Sequence, residues 1–366
     1  MDTELQLEPN LPNSMEITDI PTEGYERVVR ATDPESGLHA IISVHDTTLG
    51  SALGGLRMWD YKSEEEALFD VNRLSRGMTF KSAVAHTGLG GGKSVILGDP
   101  KTIKSEALYL AMGRFIESLD GTYITAEDVN TTIQDLEIVR RATRHVTGLS
   151  RKMGGSGNPS PYTAYGVFLG IQAALGWVFG DDDMTGRKVA VQGNGAVGSA
   201  LARRLCEEGA TVYGSDRDGA KLEALSEELE NFVPVAEEAI YSQDADVFAP
   251  CALGAIINDD TIPKLKCKVV AGATNNPLLE PRHGKALEER GILYAPDYVI
   301  NAGGIINVSV EFAEGGYDQQ TSVKRIVRIP QALRELWTIA EEESIPPNEA
   351  ADRLADNILA DAKQSV

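Results

Sequence analysis

Basic residues, cysteines and aromatic residues are all scarce in this chain of 366 residues. Lysine and arginine together number 34 against 55 acidic residues, giving a net charge of −21. Nucleic acids and anionic membranes would repel such a protein, so neither is expected as a partner. The three cysteines, Cys206, Cys251 and Cys267, fit neither a disulfide framework nor a metal-binding spacing. We expect them to be buried, apolar thiols in a reducing compartment, and we expect no metal site.

Long apolar runs and targeting segments are also missing. The N-terminus lacks the basic-then-apolar order of a secretory signal. The most apolar span, residues 166–180, is short for crossing a bilayer and contains Gln172. A soluble cytoplasmic protein is therefore expected. The length suits two α/β domains, each with its own core.

Two lysines lie in a glycine-rich stretch from Met78 to Pro100 that contains few acidic residues. A capping box at residues 63–66 predicts a helix that leads to Lys81. Lys93 follows three glycines, which allow backbone and ligand to approach closely, so we expect Lys93 on a glycine turn beside Lys81. The alternative is a turn whose lysines face solvent. A P-loop is excluded because Thr87 replaces its first glycine and a strand, not a helix, is predicted next.

Asp128 follows a predicted short strand, Tyr123-Ile124-Thr125. Ligands of open α/β sheets collect at the carboxyl ends of strands, so Asp128 is a candidate partner for the lysines. The alternative is a carboxylate that caps the next helix. A glycine- and proline-rich segment at residues 154–161 then predicts a hinge, and we divide the chain into domains at 1–150 and 151–330.

The second domain carries a dinucleotide-binding fingerprint in its full context. A predicted strand at 188–192 leads into G-x-G-x-x-G and a helix, and a second strand at 211–215 ends at Asp216. Asp216 would bind the adenosine ribose and repel a 2′-phosphate, which favours NAD over NADP, although the neighbouring Arg217 would tolerate that phosphate. The predicted cofactor contacts are Gly193, Asn194, Gly195, Ala196, Val197, Gly198, Ser199 and Asp216.

Several segments together resemble one family, the glutamate, leucine, phenylalanine and valine dehydrogenases. They are HDTTLG, GGLRM, GMTFKSA, GGGKSVILGDP, YITAEDVNTT, GNPSPYTAYGV, FAPCALGA, VAGATNN and APDYVINAGGIINV. These segments cover roughly residues 37–310 and are most similar to the leucine-specific members. The resemblance implies NAD-dependent oxidative deamination of an L-amino acid to a 2-oxo acid and ammonia. It also implies a cleft between a substrate and oligomerisation domain and a Rossmann domain, a C-terminal helix at 331–366 returning to the first domain, and a homo-oligomer.

The same resemblance implies residue roles. Lys81 would bind the substrate carboxylate, Lys93 would be the general base that activates water, and Asp128 would hold the lysines and shuttle a proton. Thr163 and Asn276 would contact the nicotinamide end of the cofactor, with Asn276 also near the substrate. The implied side-chain pocket and its surroundings comprise Leu53, Gly54, Met78, Ala126, Ile305 and Val308.

The pocket residues predict an aliphatic substrate. Glutamate-specific members carry a lysine where Leu53 stands, so a buried distal carboxylate would lack a partner here. Phenylalanine-specific members tend to have glycine at the positions of Leu53 and Ala126. Leucine, isoleucine or valine is therefore expected, although Ile305 is one methylene larger than the usual valine, and their ranking stays open. The alternatives are a phenylalanine dehydrogenase and a non-catalytic NAD-binding sensor.

Overall fold

The computed structural model describes residues 14–313 and 315–364, which fall into two compact units. The first unit contains the described residues up to Asn158, Val308–Tyr317 and the chain from Ile358 onward. The second contains Pro159–Asn307 and Asp318–Asn357. The division thus falls inside the predicted hinge and later than the predicted boundary at 150/151.

Two further parts of the predicted division are wrong. Residues 308–317, expected in the second domain, belong to the first unit. The C-terminal return predicted for 331–366 begins only at Ile358, because the preceding helix packs within the second unit. There Trp337 is buried and its indole Nε1 donates a hydrogen bond to the Tyr294 carbonyl oxygen at 3.0 Å.

The first unit is built on a six-stranded mixed sheet with the order β1-β2-β3-β5-β4-β6. Its elements are β1 (Glu16–Asp19), β2 (Arg27–Asp33), β3 (Leu38–Asp46), β4 (Ala52–Trp59), α1 (Glu64–Val84), β5 (Gly90–Leu97), α2 (Glu106–Glu117), β6 (Tyr123–Glu127) and α3 (Ile133–Arg140). Strand β4 lies between β5 and β6 and is parallel to both. The three strands therefore bring their side chains together at the β6 edge of the sheet.

Alternating side chains of this sheet fill two separate cores. Val28, Ile41 and Val95 pack with Ala67 and Val71 of α1 on one face. The opposite face packs against α2 and α3 in a larger cluster that includes Leu56, Met58, Ile96, Met112 and Phe115. Because successive residues of a strand face opposite sides, this alternation assigns Lys93, two residues before Val95, to the α1 face.

Helix α1 begins where the sequence predicts. Ser63 is its N-cap, and the Ser63 hydroxyl accepts a hydrogen bond from the Glu66 backbone N–H at 3.2 Å. Three glutamates in the first turn suit the positive end of the helix dipole. The helix continues through Lys81 and ends at Val84, and it packs along β5 and β3. Its cap and its buried face together fix the position of Lys81 relative to the sheet.

The second unit contains a six-stranded parallel sheet with the order β12-β11-β10-β7-β8-β9. Its strands are β7 (Lys188–Gln192), β8 (Thr211–Ser215), β9 (Phe232–Pro234), β10 (Val247–Pro250), β11 (Val269–Val270) and β12 (Leu293–Tyr294). In chain order this is the doubly wound arrangement of dinucleotide-binding folds, whose winding reverses between β7 and β10. The predicted Rossmann-type fold is confirmed.

The helices of this part of the chain lie between the strands as far as β12, and the described chain after β12 is helical. They are α4 (Ser160–Phe179), α5 (Ala196–Glu207), α6 (Gly219–Glu228), α7 (Arg282–Glu289), α8 (Asp297–Ile300), α9 (Gly303–Ser309), α10 (Gln319–Ile326), α11 (Ile329–Glu343) and α12 (Pro347–Gln364). Short 3-10 turns occur at Arg151–Met153, Glu237–Ser242, Ile262–Lys264 and Val310–Phe312. Helices α9 and α12 each continue from one unit into the other.

Among the described residues, α4 is the one helix long and apolar enough to span a bilayer. Its 20 residues exceed the apolar span predicted at 166–180, so that span was underestimated. Half of the apolar window is buried, and the helix packs against α5 and α11. The apolar composition of α4 is therefore that of a helix packed in the protein core. The prediction of buried cysteines is correct for Cys267, whereas Cys206 and Cys251 are partly exposed.

Candidate active site

Lys93 lies on strand β5 and not on the predicted glycine turn, because Gly90, Gly91 and Gly92 all belong to the strand. The glycines serve close packing instead. A Cβ on Gly91 would collide with the backbone of Thr79 in α1, so this helix can approach the strand only at a glycine. The absence of a helix after Lys93 confirms that the segment is no P-loop. The alternative of a solvent-facing lysine is wrong, since Lys93 is only 5% exposed.

The amine of Lys93 meets the carboxylate of Asp128 across strand β4, which lies between β5 and β6. Lys93 Nζ lies 2.9 Å from Asp128 Oδ2. Asp128 follows β6, Lys93 is on β5, and Gly55 of β4 lies between them. A Cβ on Gly55 would lie 2.6 Å from Asp128 Cβ and 3.2 Å from Lys93 Nζ. The two side chains can therefore pair only because strand β4 has no side chain at Gly55.

Asp128 does not cap the following helix, so that alternative is wrong. The N-cap of α3 is Thr132, which forms a capping box with Asp135. Burial by itself would raise the pKa of the Asp128 carboxyl, but the charges and hydrogen bonds of Lys93 and Arg57 outweigh it. The pKa of Asp128 consequently lies below its ordinary value, and the carboxylate is ionised at neutral pH.

Arg57 is a member of this cluster that the sequence analysis missed. Its Nε donates to Asp128 Oδ2 at 3.1 Å, and its Nη1 donates to Asp70 Oδ2 at 2.9 Å. The signal was present in the segment GGLRM. In an extended strand Arg57 lies two positions beyond Gly55 and therefore on the same face. The strand β4, which contains this glycine pair and Arg57, was not predicted.

Lys81 and Met78 lie near the end of α1, and both side chains are partly buried. The close approach of Thr79 to Gly91 places this part of the helix against the start of β5. The two lysines thus come from elements that pack directly on each other. The action of both amines on one substrate stays a prediction.

The predicted pocket residues are divided between the two units. Leu53 is buried in β4 at 1% exposure, and Ala126 pairs with Gly55 in the sheet register. Gly54 packs on the backbone of Gly92. The carbonyl oxygen of Val308 accepts a hydrogen bond from the Thr147 hydroxyl at 3.2 Å within the first unit. Ile305 and Asn276 belong to the second unit, so their contact with a substrate stays a prediction.

In the second unit, the glycine turn joins β7 to α5 as the fingerprint predicts. Gly193 has φ +86° and lies against Ala252, a conformation and a contact that favour glycine. Gly198 packs on the carbonyl oxygen of Gly193. Gly195 is the N-cap of α5, receives no side-chain cap from the described residues, and has open space where a Cβ would be. The exposed N-terminus of this helix can therefore accept a pyrophosphate, as a dinucleotide requires.

Asp216 lies directly after β8 and is anchored to the glycine turn. Its Oδ2 accepts a hydrogen bond from the Asn194 N–H at 2.7 Å, and its Oδ1 accepts one from Asp218 N–H at 2.9 Å. The Asn194 side chain is fully buried and donates to the Ser215 carbonyl oxygen at 3.0 Å. Asn194, which was predicted to bind the cofactor, thus ties the turn to the neighbouring strand with its side chain. The Ser199 hydroxyl donates to the carbonyl oxygen of Asn194 at 2.7 Å.

Ala196 and Val197, the remaining predicted cofactor contacts of the turn, form the first turn of α5 and are exposed and partly buried, respectively. Elsewhere in the unit, Asn276 has φ +49° and its N–H donates to Asp297 Oδ2 at 2.7 Å. Asn301 Nδ2 donates to Asn275 Oδ1 at 2.8 Å. These asparagines therefore gather beyond the ends of β11 and β12, as expected for strands in a parallel sheet.

Thr163 lies in the first turn of α4, where its hydroxyl donates to the Pro159 carbonyl oxygen at 3.2 Å. A Cβ on Gly304 would lie 2.7 Å from Thr163 Oγ1, so the start of α9 packs closely on this threonine. Thr163 is consequently next to the segment that carries Ile305.

Comparison with known proteins matches both parts of the chain to models of one family. Residues 25–145 match the Glu/Leu/Phe/Val dehydrogenase dimerisation domain, and residues 154–365 match the Glutamate/Leucine/Phenylalanine/Valine dehydrogenase model. The chain thus combines two features. One is a mixed sheet with a buried lysine–aspartate pair, and the other is a doubly wound dinucleotide-binding fold. The chain belongs to the Glu/Leu/Phe/Val dehydrogenase family, and it is an amino-acid dehydrogenase.

Individual relatives cover nearly the whole chain. It is 54% identical to the leucine dehydrogenase of Thermoactinomyces intermedius, over 91% of this chain and 90% of the relative. It is 45% identical to the phenylalanine dehydrogenase of Bacillus thermotolerans, over 91% and 87%. The crystal structure of L-tryptophan dehydrogenase from Nostoc punctiforme superimposes with a TM-score of 0.83 at 42% identity, covering 93% of this chain and 97% of that one.

Proposed function

We propose that the protein catalyses the NAD-dependent oxidative deamination of a branched-chain aliphatic L-amino acid, with leucine as the first candidate. The observation that carries the proposal is the buried ion pair between Lys93 and Asp128, formed across a glycine in a member of this family. A buried amine held by a carboxylate is suited to exchange protons with a water molecule. The alternative is a non-catalytic NAD-binding sensor. In such a protein the free-energy cost of burying this ion pair would serve no function.

Three residues of the first unit have separate roles in the proposed reaction. Lys81 binds the substrate carboxylate, whose negative charge its ammonium group offsets. After the Cα has lost its hydride, Lys93 takes a proton from the water that attacks the resulting imino carbon, and Asp128 holds the Lys93 amine in place and receives or returns the proton. The low exposure of Lys93 excludes bulk water and so strengthens these electrostatic contacts.

NAD fits the second unit. The uncapped start of α5 at Gly195 suits the pyrophosphate, and Asp216 suits the hydroxyls of the adenosine ribose. When bound, NAD accepts the hydride from the substrate. The residues that would hold it are those of the glycine turn at 193–199, together with Asp216, Thr163 and Asn276.

Leucine is favoured over phenylalanine for two reasons. The leucine dehydrogenase of Thermoactinomyces intermedius is more similar to this chain than the phenylalanine dehydrogenase of Bacillus thermotolerans. The family resemblance also implies that Leu53 and Ala126 stand where phenylalanine-specific members tend to have glycine, which makes room for a ring. Leu53 is on β4 and Ala126 is on β6, the strand that Asp128 follows.

A panel of amino acids tests the proposal directly. With purified protein and NAD, L-leucine, L-isoleucine and L-valine should give NADH, and kcat/KM for L-glutamate should be lower by about 10³-fold. The physical reason is the cost of burying an unpaired carboxylate against Leu53. A higher kcat/KM for L-phenylalanine than for L-leucine would instead support the aromatic alternative. NADH formation with none of these acids would refute the proposed activity.

Asp216 is expected to set the cofactor preference. Replacement of Asp216 by asparagine removes the charge that repels a 2′-phosphate, while an amide oxygen can still accept the Asn194 N–H. We expect the ratio of kcat/KM for NADP to that for NAD to rise by about 10-fold. Asp218→Asn is the matched control, because it makes the same charge change at the N-cap of α6. An unchanged ratio in Asp216→Asn would show that another residue selects the cofactor.

We further propose that the protein acts as a homo-oligomer in the cytoplasm. The description of the matched N-terminal model as a dimerisation domain supports self-association. Light scattering coupled to size-exclusion chromatography measures the assembly mass directly, and a monomeric mass would contradict this proposal.

A further inference from the structure

Arg57 connects the Lys93–Asp128 pair to helix α1. Its guanidinium donates through Nε to Asp128 Oδ2 at 3.1 Å and through Nη1 to Asp70 Oδ2 at 2.9 Å. The Arg57 side chain is 19% exposed, and those of Asp70 and Asp128 are 13% and 23% exposed. The planar guanidinium thus bridges two largely buried carboxylates, one on the helix and one after a strand.

Asp70 is itself held firmly. Its Oδ2 also accepts a hydrogen bond from the Tyr61 hydroxyl at 2.7 Å, and its Oδ1 lies 2.7 Å from Nη2 of Arg73. Burial alone would raise the pKa of the Asp70 carboxyl, but these hydrogen bonds and the two arginines lower it. Asp70 is therefore a fixed anion that orients Arg57.

Both cations near Asp128 contact the same carboxylate oxygen. Lys93 Nζ is 2.9 Å and Arg57 Nε is 3.1 Å from Oδ2. A carboxylate bound to one flexible lysine can rotate about its terminal torsion, which has broad minima. Arg57 supplies a second donor on a rigid guanidinium, and Asp70 holds that guanidinium at its other nitrogen. This second hydrogen bond removes the rotational freedom of the Asp128 carboxylate.

We propose that Arg57 is a positioning residue, which Asp70 and Tyr61 hold so that it directs the Asp128 carboxylate at Lys93 Nζ. The inference rests on the proposed function, because that function assigns proton transfer to Lys93 and Asp128. Arg57 acts through Asp128, in the way that the outer partners of metal ligands act through the ligands that they orient.

The charged and titratable groups around Asp128 give the sign of the effect of pH. They are Lys93 on β5, Arg57 on β4, and Tyr123 and Glu127 on β6. Burial and the charges of Asp135 and Asp128 raise the pKa of Glu127, and this carboxyl cannot replace the positive charge of Arg57. Loss of Arg57 therefore raises the pKa of Asp128, and the acid limb of the kcat/KM profile moves to higher pH.

The test compares two arginines that bind the same aspartate. Arg57→Gln should lower kcat by about 10-fold to 100-fold, leave KM for the amino acid within a few-fold, and shift the acid limb upward. Arg73→Gln also removes a guanidinium from Asp70, but Arg73 is 50% exposed and bonds Asp70 at its other oxygen. This control should change kcat by less than about two-fold.

Two further variants separate charge from geometry. Arg57→Lys keeps the positive charge, so the acid limb of the kcat/KM profile should stay near that of the wild type. A lysine amine cannot bond both carboxylates in the fixed geometry of a guanidinium, so kcat should still fall. Asp70→Asn keeps the shape of the anchor and loosens Arg57, so kcat should fall less than in Arg57→Gln. If Arg57→Gln does not fold, as judged by its thermal unfolding, Asp70→Asn decides the question.

A folded Arg57→Gln protein with the kcat and acid limb of the wild type would overturn the inference, as would an Arg73→Gln variant with an equal loss. These results leave the proposed function intact, because the wild type still forms NADH in both cases. A wild type that forms no NADH with any amino acid overturns the proposed function and the inference together.

Discussion

Replacement of Lys93 by alanine should lower kcat by about 10²-fold to 10⁴-fold while NADH binding stays close to that of the wild type. Lys93 is the buried amine that the carboxylate of Asp128 holds at 2.9 Å, and it lies in the first unit. The glycine turn that would bind the dinucleotide is in the second. Steady-state NADH formation measures the first quantity, and a fluorescence titration with NADH measures the second.

Lys101→Ala is the matched control for this experiment, since Lys101 is an exposed lysine of the same unit and should be dispensable. The stability of Lys93→Ala should be checked by thermal unfolding, although Asp128 keeps its bond to Arg57 in that variant. A Lys93→Ala protein that folds and retains the wild-type kcat would refute the role of this amine as the base.

Replacement of Gly55 by alanine should lower kcat by about 10²-fold, because displacements near 1 Å at a reacting group cost this much. The new methyl group would lie 2.6 Å from Asp128 Cβ and 3.2 Å from Lys93 Nζ. The Asp128 side chain cannot keep its present position and the Lys93 amine is crowded, so we expect the pair to lose its present geometry. The kcat of purified variants at saturating substrate is the direct measurement.

Gly77→Ala provides the control for Gly55→Ala. Gly77 lies in helix α1 of the same unit, and a Cβ there would meet nothing within 4 Å. This variant should be as active as the wild type and more stable by about 0.5–1 kcal/mol, because alanine is the better helix former. If both glycine variants kept full activity, the close approach at Gly55 would have no part in catalysis.

The dinucleotide fingerprint was predictable because its signal is local. The predicted strands at 188–192 and 211–215 coincide with β7 and β8, and Asp216 lies directly after β8. The strand, the turn glycines and the acid all lie within about 30 residues, and each has a distinct requirement for its residue type. Short-range pattern therefore suffices to place them.

The lysine stretch was predicted less well, for a physical reason. Three consecutive glycines favour a turn in an isolated chain, since glycine weakens a strand. In the folded protein they occupy β5 because α1 packs so closely that a side chain at Gly91 would collide with it. Strands β1 and β2, neither of which was predicted, owe their existence to pairing with each other and with β3.

The sequence by itself determined the two α/β parts, the fingerprint and the identity of the catalytic candidates Lys81, Lys93 and Asp128, because these depend on residue type and local order. Only the tertiary structure decided which side chains meet. Asp128 and Arg57 are 71 residues apart, yet a parallel register brings Arg57 to the carboxylate oxygen of Asp128 that Lys93 also contacts. Contacts between distant strands are set by the packing of the whole sheet, and no local pattern encodes them.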